Sequence, residues 1–577
     1  MKSAKGNRRF TNCARTPFLL ALAALLLSVL PASAAAGRDE VVSKNGMVSS
    51  AHWLASEAGV KIMKEGGNAI DAAVATSLAL SVVEHHFSGI GGGGFAMVRN
   101  AKTGEVVFID YREMAPASAT KGMYEDEKIK AIRARYTGVP GFIAGLYHML
   151  EKYGTMTFAQ VAAPAIRLAE EGWVVEPNQL KWYESMYMPF ADRYDEKENS
   201  FLNEGLPYQV GERMKLPNLA KTYRLIAEKG PSVVYEGEIG EAIVREVNRL
   251  GGDMTMEDMK NYKLYERRPV TGTYRGYRIY SSPPSSSGGT HIVQALNIME
   301  NFPVSEWMVD APERLHTLAE AYRLVFADRQ QYMADADFVK VPLKGLADKA
   351  YAKLLAEKIK AGSSMGEVHA GDPWKFEPSA SARLFTPAPA SLGRNTTHLS
   401  VADKEGNMVA CTNTHNVPVG FVPGYDFLLN DELDDFAKSA SSVNAPEPGK
   451  RPLSSMSPTI VLDPEGKPFM TVGSAGAWRI ITAVSQIIMN VVDYGMTMEQ
   501  AINKTRIFTY ASDDKPAKLM IEGPIDEALQ EGLTKVGEQV DVRDFGDYFG
   551  TSQGILYKDG ELYGGADTRR LGVPVGF

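Results

Sequence analysis

Asn395-Thr396-Thr397-His398-Leu399-Ser400-Val401-Ala402-Asp403 is the stretch on which the reading of this chain turns. Leu399 and Val401 alternate with polar or small residues, the period-2 pattern of a half-buried strand. The turn-formers Lys404-Glu405-Gly406-Asn407 follow, and a second strand is expected from Met408 to about Thr414. A two-residue loop at Glu405-Gly406 sets Thr396 opposite His415, with Thr414 and Asn416 on either side. A hydroxyl at the open end of a hairpin, among polar side chains, is a candidate nucleophile. On spacing alone, Thr396-Thr397 is an ordinary strand start, because β-branched residues fill strands for packing.

Other stretches supply complementary chemistry. Arg451-Pro452-Leu453-Ser454-Ser455-Met456-Ser457-Pro458 precedes a strand Thr459–Leu462, a turn at Asp463-Pro464-Glu465-Gly466 and a return strand from 468 to 472. A loop centred on Pro464-Glu465 sets residues 473–476 opposite 453–456, so Ser454 and Ser455 lie near Gly473-Ser474-Ala475-Gly476-Ala477. A helix expected near Trp478 would turn its N-terminus toward developing negative charge. Between the hairpins lies Phe427-Leu428-Leu429-Asn430-Asp431-Glu432-Leu433-Asp434-Asp435-Phe436. An acidic cluster is usually a solvated face. Arg112-Glu113-Met114-Ala115-Pro116 follows a strand at Val106–Tyr111, and an arginine fork matches a carboxylate bidentately.

Taken in chain order, the motifs resemble those of the γ-glutamyltransferases, which are N-terminal-nucleophile hydrolases. The resemblance runs from Gly46 to Gly564-Gly565-Ala566-Asp567. It implies an α+β fold, a four-layer αββα sandwich, and self-cleavage between Asn395 and Thr396. It implies that the freed α-amine of Thr396 serves as base for its own hydroxyl. By the same resemblance Thr414 contacts the nucleophile, and Gly476 and Ala477 form the oxyanion hole. Arg112 and the serines 454 and 455 take the donor's α-carboxylate. Asn416, Asp435 and Glu432 take its α-amine. The implied reaction passes a γ-glutamyl group from glutathione or a similar donor to water, an amino acid or a peptide. The alternative is a related acylase acting on glutaryl-cephalosporins or poly-γ-glutamate, and a rival of another class is an uncleaved exported binding protein. No cofactor or metal is implied. The chain departs from the family at Ala477, where a second glycine is usual, and at Trp478, where a small polar residue is usual.

The rest of the chain sets the context. Residues 1–34 read as an export signal: five basic residues without an acid, a short apolar core and Ala32-Ser33-Ala34. Its removal takes the formal net charge from −8 to −13, and no basic run argues for nucleic acid. A periplasmic or secreted protein follows, free of the membrane once the signal is gone. Only Cys411 then remains, a candidate buried residue. The expected products are a large subunit 35–395 and a small subunit 396–577, associated as one unit.

Gly66-Gly67-Asn68-Ala69-Ile70-Asp71 reads as a turn and cap before an Ala-rich helix. Ser88-Gly89-Ile90-Gly91-Gly92-Gly93-Gly94 lacks the Lys-Ser/Thr of a phosphate loop and reads as close packing beneath a strand. Residues 138–308 look mainly helical, and Ser282-Pro283-Pro284-Ser285-Ser286-Ser287-Gly288-Gly289 reads as a structural turn. A helix covers 319–332. Neither Asp335-Ala336-Asp337 nor the spacing of the nine His suits a metal. Residues 371–394, rich in Pro, Ser and Ala, read as a flexible tail before the cut, and 437–450 as a short surface connection.

Overall fold

The computed structural model describes residues 40–378, 395–510 and 517–577. The export signal at 1–34 and most of the tail 371–394 lie outside the described residues.

Period-2 sequences build two seven-stranded sheets, antiparallel throughout. The first carries the strand Thr397–Asp403 between Gly46–Ser50 and Met408–Thr414, and continues through Gly93–Arg99 and Val106–Tyr111 to Tyr265–Arg267. Val573–Gly576 closes its other edge. The second sheet is centred on Pro468–Ala475, flanked by Thr459–Leu462 and Thr551–Lys558. The strand Thr397–Asp403 therefore lies between a strand from before residue 395 and one from after it. A chain cut there keeps both sheets shared between its pieces.

The sheets lie face to face. Thr471 donates its hydroxyl to the Val409 carbonyl at 3.2 Å, and Ser400 to that of Gln553 at 3.2 Å. The helices Trp53–Lys64 and Ala69–Val83 cover the outside of the first sheet, and Gly288–Met299 and Arg479–Tyr494 cover the other. This is the αββα order that the resemblance implied. On the outer face Leu399, Val401, Val409 and Cys411 bury themselves with Val74 and Leu78 in one core cluster.

The helix Ala69–Val83 is buried on all faces, as its Ala-rich composition allows. Asn68 caps it through a reciprocal box with Asp71, worth about 1 kcal/mol. Asp403, at the end of the strand Thr397–Asp403, accepts the Ala69 amide at 3.0 Å. That bond ties the strand to the helix beneath it. Gly92 passes so close to the next strand that a Cβ there would meet the Thr414 carbonyl oxygen at 2.1 Å.

Both hairpin registers differ from expectation. Thr397 pairs with Asn413 and His398 with Thr412, so the register runs one residue off and sets Thr396 against Thr414 rather than His415. The cause is a three-residue loop, Lys404-Glu405-Gly406, with Gly406 at φ +88° and Asp403 bonded across to Asn407. In the second hairpin Thr459 pairs with Val472, and a bulge at Val461/Leu462 absorbs the longer turn. Ser454 accordingly pairs with Ser286, not with the strand 468–475. Residues 138–308 also hold five strands: Trp173–Val174 pairs with Arg213–Met214 in a separate ribbon, while Tyr265–Arg267 edges one large sheet and the hairpin Val270–Tyr274/Tyr277–Ser281 ends the other.

Candidate active site

At the open end of the hairpin Thr397–Thr414 lies a cavity of about 360 Å³, its mouth included. Thr396, Thr414, Asn416, Arg112, Glu432, Asp435, Ser454, Ser455 and Ala477 all line it. Gly476, the remaining expected site residue, stands one peptide behind Ala477, where a Cβ would touch Gly550.

The polar geometry is organised around the bond between Asn395 and Thr396. The Thr414 hydroxyl donates to the Asn395 carbonyl oxygen at 2.7 Å, and the Asn416 amide donates to that hydroxyl oxygen at 2.8 Å. Asn416 sits at φ +55°, a conformation costly for a non-glycine residue and typical of functional sites. On the other side the Arg570 guanidinium donates to the Thr396 carbonyl at 2.8 Å, and Thr397 donates to buried Glu84 at 2.8 Å. Both were missed in the sequence, because neither lies in a motif.

Arg112 is buried and pairs with Glu432 and, at 2.7 Å, with Asp435; Glu113 lies 3.7 Å away. Burial opposes the guanidinium charge, but these carboxylates outweigh it and hold Arg112 above its usual range. Burial, resisted by Arg112, raises the Glu432 and Asp435 carboxyls. Burial, with the neighbouring Glu432 charge, also raises Glu113. The residues expected to take opposite ends of an amino acid thus hold each other.

Ser454 and Ser455 are fixed by the Ser-rich run expected to be a plain turn. Ser287 donates to the Ser454 carbonyl at 2.8 Å, and Ser282 and Ser286 donate to that of Met456 at 2.9 and 2.7 Å. The run is a cradle, and its repeated hydroxyls before a helix were the available signal. Ala477 has φ +54°, the left-handed conformation that the usual glycine would tolerate. Trp478 is buried and stacks on Phe326 at 5.7 Å. Arg329 completes the wall: its Nε donates to Ser287 at 2.8 Å, its Nη2 to Ser455 at 3.0 Å, and it lies 4.7 Å from the Trp478 ring. Arg329 lies in Ala327-Asp328-Arg329-Gln330 near the end of the helix Pro312–Tyr332, and no sequence motif marks it.

Asp335 accepts the Arg451 amide at 2.9 Å and Asp337 pairs with Arg267. Cys411 is buried, 3.0 Å from the Tyr111 hydroxyl.

Residues 55–577 match the gamma-glutamyltranspeptidase family. The chain is 40% identical over 554 residues to the glutathione hydrolase proenzyme of Escherichia coli strain K12, covering 92% of this chain and 91% of that one. It is 39% identical over 548 residues to the glutathione hydrolase proenzyme of Bacillus subtilis strain 168, covering 93% and 92%. Among solved structures, a cephalosporin acylase from Bacillus halodurans superposes with a TM-score of 0.82 at 28% identity, covering 94% of this chain and 97% of that one.

Proposed function

The chain belongs to the gamma-glutamyltranspeptidase family and is a self-processing glutathione hydrolase of the N-terminal-nucleophile type, and within that activity we propose that Thr396 is the nucleophile. The precursor cuts between Asn395 and Thr396, leaving a large subunit 35–395 and a small subunit 396–577. The Thr396 hydroxyl attacks the γ-carbonyl of the donor, and the freed α-amine of Thr396 takes its proton. The amides of Gly476 and Ala477 receive the oxyanion. The amine leaves with that proton, and the γ-glutamyl ester passes to water or to the amino group of an amino acid or peptide.

One juxtaposition carries the assignment. Thr396 and Thr414 share a cavity with the Arg112–Asp435 ion pair. A donor with both an α-carboxylate and an α-ammonium exchanges that one ion pair for two, Arg112 with the carboxylate and Asp435 with the ammonium. Charges taken from water are then matched again, which offsets the desolvation cost. A glutaryl group lacks the ammonium and would leave Asp435 and Glu432 uncompensated. That favours γ-glutamyl donors over the acylase alternative.

The export signal read at 1–34 supports a periplasmic or secreted enzyme. Among the described residues no helix is long and apolar enough to cross a membrane. The test is sequencing of the smaller fragment of the purified protein, together with turnover of a γ-glutamyl anilide. The fragment should begin Thr-Thr-His, and Thr396→Ala should give one inactive chain. Any other start would refute the nucleophile assignment.

A further inference from the structure

The two cations of the donor cavity are placed very differently. Arg112 is surrounded by Glu432, Asp435 and Glu113. Arg329 is 2% exposed, and among the described residues no ion pair is formed by it. Asp435 is the carboxylate whose charge reaches it, across the cavity. Its guanidinium is held by two hydroxyls and an indole face instead. A buried cation without a counter-ion is costly unless a ligand supplies the charge.

The hydrogen bonds around it have a direction. Guanidinium only donates, so the Ser455 oxygen accepts from Arg329. The Ser454 oxygen accepts from the Met456 amide at 3.1 Å. Each serine has accepted from the protein, and its own proton remains for an acceptor in the cavity. Ser287, also accepting from Arg329, spends its proton on the Ser454 carbonyl. Arg329 therefore sets the position of both serines and the orientation of one hydroxyl.

We propose that Arg329, braced by Trp478, is the positioning residue that makes this site selective for donors carrying an α-carboxylate. It turns the Ser455 hydroxyl toward the carboxylate, and it adds the positive charge that Arg112 has already shared among its neighbours. Trp478 fixes the guanidinium by covering its face. The inference rests on the proposed donor site above.

Three anilides separate the contributions: γ-glutamyl, glutaryl (no α-amine) and 4-aminobutyryl (no α-carboxylate). Arg329→Gln should raise KM at least about ten-fold for the first two, with kcat changed less than about three-fold, and leave KM for the third unchanged. Arg329→Lys keeps the charge but cannot reach Ser287 and Ser455 together. It should show the same selective rise, and it carries the test if the glutamine variant does not mature. Equal changes for all three donors would overturn the proposal, as would failure of both variants to self-cleave, which would make Arg329 a folding residue. A wild-type protein without γ-glutamyl turnover would refute the functional assignment itself, whereas turnover without the selective KM rise refutes only the role of Arg329.

Discussion

The Thr414 hydroxyl donates to the carbonyl oxygen of Asn395 at 2.7 Å, on the peptide proposed to be cut. A donor there polarises the carbonyl and stabilises the charge that forms when the Thr396 hydroxyl attacks it. The Asn416 amide aligns the donor from behind. Removing one such donor costs roughly 10²–10³ in rate. Thr414→Val should slow self-cleavage by about that factor, and Thr414→Ser should restore it, as read from a time course on a denaturing gel. Cleavage of the valine variant at the wild-type rate would dismiss this role.

Arg112 and Asp435 make a second prediction. Arg112→Ala should raise KM for a γ-glutamyl anilide, since a charge-assisted contact is worth about 1.5–3 kcal/mol, roughly ten- to hundred-fold. Asp435→Ala should weaken donors with an α-amine and spare a glutaryl anilide. If it abolishes glutaryl turnover and spares γ-glutamyl donors, the acylase alternative gains.

Much of this site was legible because its residues lie in short motifs. Thr396, Thr414, Arg112, Asp435, Ser454 and Ser455 all meet in one cavity. What was not legible depends on long-range geometry. The register of the first hairpin differs by one residue because a left-handed glycine, Gly406, lengthens its loop, and that of the second differs at Thr459 by two because of a longer turn with a bulge at Val461/Leu462. Arg570 and Glu84 hold Thr396 and Thr397 from 174 and 313 positions away, distances no local pattern spans. The run Ser285-Ser286-Ser287 has the composition of a turn, and only the pairing of Ser286 with Ser454 shows what it holds.

Ala477 at φ +54° stores strain. Left-handed backbone costs an L-residue about 1–2 kcal/mol, and glycine avoids most of that while gaining entropy when unfolded. Ala477→Gly should therefore stabilise the protein by about 0.5–1 kcal/mol. Denaturant melts should show a higher midpoint at unchanged slope. A lower midpoint would mean that the alanine methyl contributes packing that outweighs the strain.

His316 lies before the proposed cut and Glu538 after it. Its Nδ1 meets the Glu538 carboxylate at 2.8 Å and its Nε2 the Lys360 carbonyl at 3.1 Å. Both partners accept, so both nitrogens donate and the ring is an imidazolium. Burial opposes that charge, but these bonds prevail: His316 is raised above 6.5, while Arg323 and His316 hold Glu538 below its usual range despite burial. A raised histidine stabilises the fold fully below its unfolded value and loses that contribution as pH rises through its folded value. The depressed Glu538 contributes above its unfolded value and loses this as pH falls through its folded one. The stability advantage of wild type over His316→Gln should thus be largest at mildly acidic pH and shrink as pH rises through the raised folded value of His316. A difference in melting temperature that stays constant over that range would rule out the charged pair.

The last prediction concerns access. Residues 437–450 carry no aromatic side chain and are tied down, not free to fold over the cavity. Asn444 donates to the Asp435 carbonyl at 2.8 Å and accepts the Leu453 amide at 3.1 Å, and Ala437 donates to the Asn444 carbonyl at 2.8 Å. Lys450, buried, donates to the Val443 carbonyl at 2.8 Å. A lid excludes water and gates turnover, whereas an anchored loop leaves the mouth as it stands. Bulky donors should therefore enter, and water should compete with added acceptors for the γ-glutamyl ester. Glutathione and γ-linked glutamate oligomers should both be processed, with free glutamate a major product even when an acceptor dipeptide is present. Product analysis with and without the dipeptide distinguishes the cases. Rejection of every oligomer, together with near-complete transfer at modest acceptor concentration, would mean that some other segment closes the site.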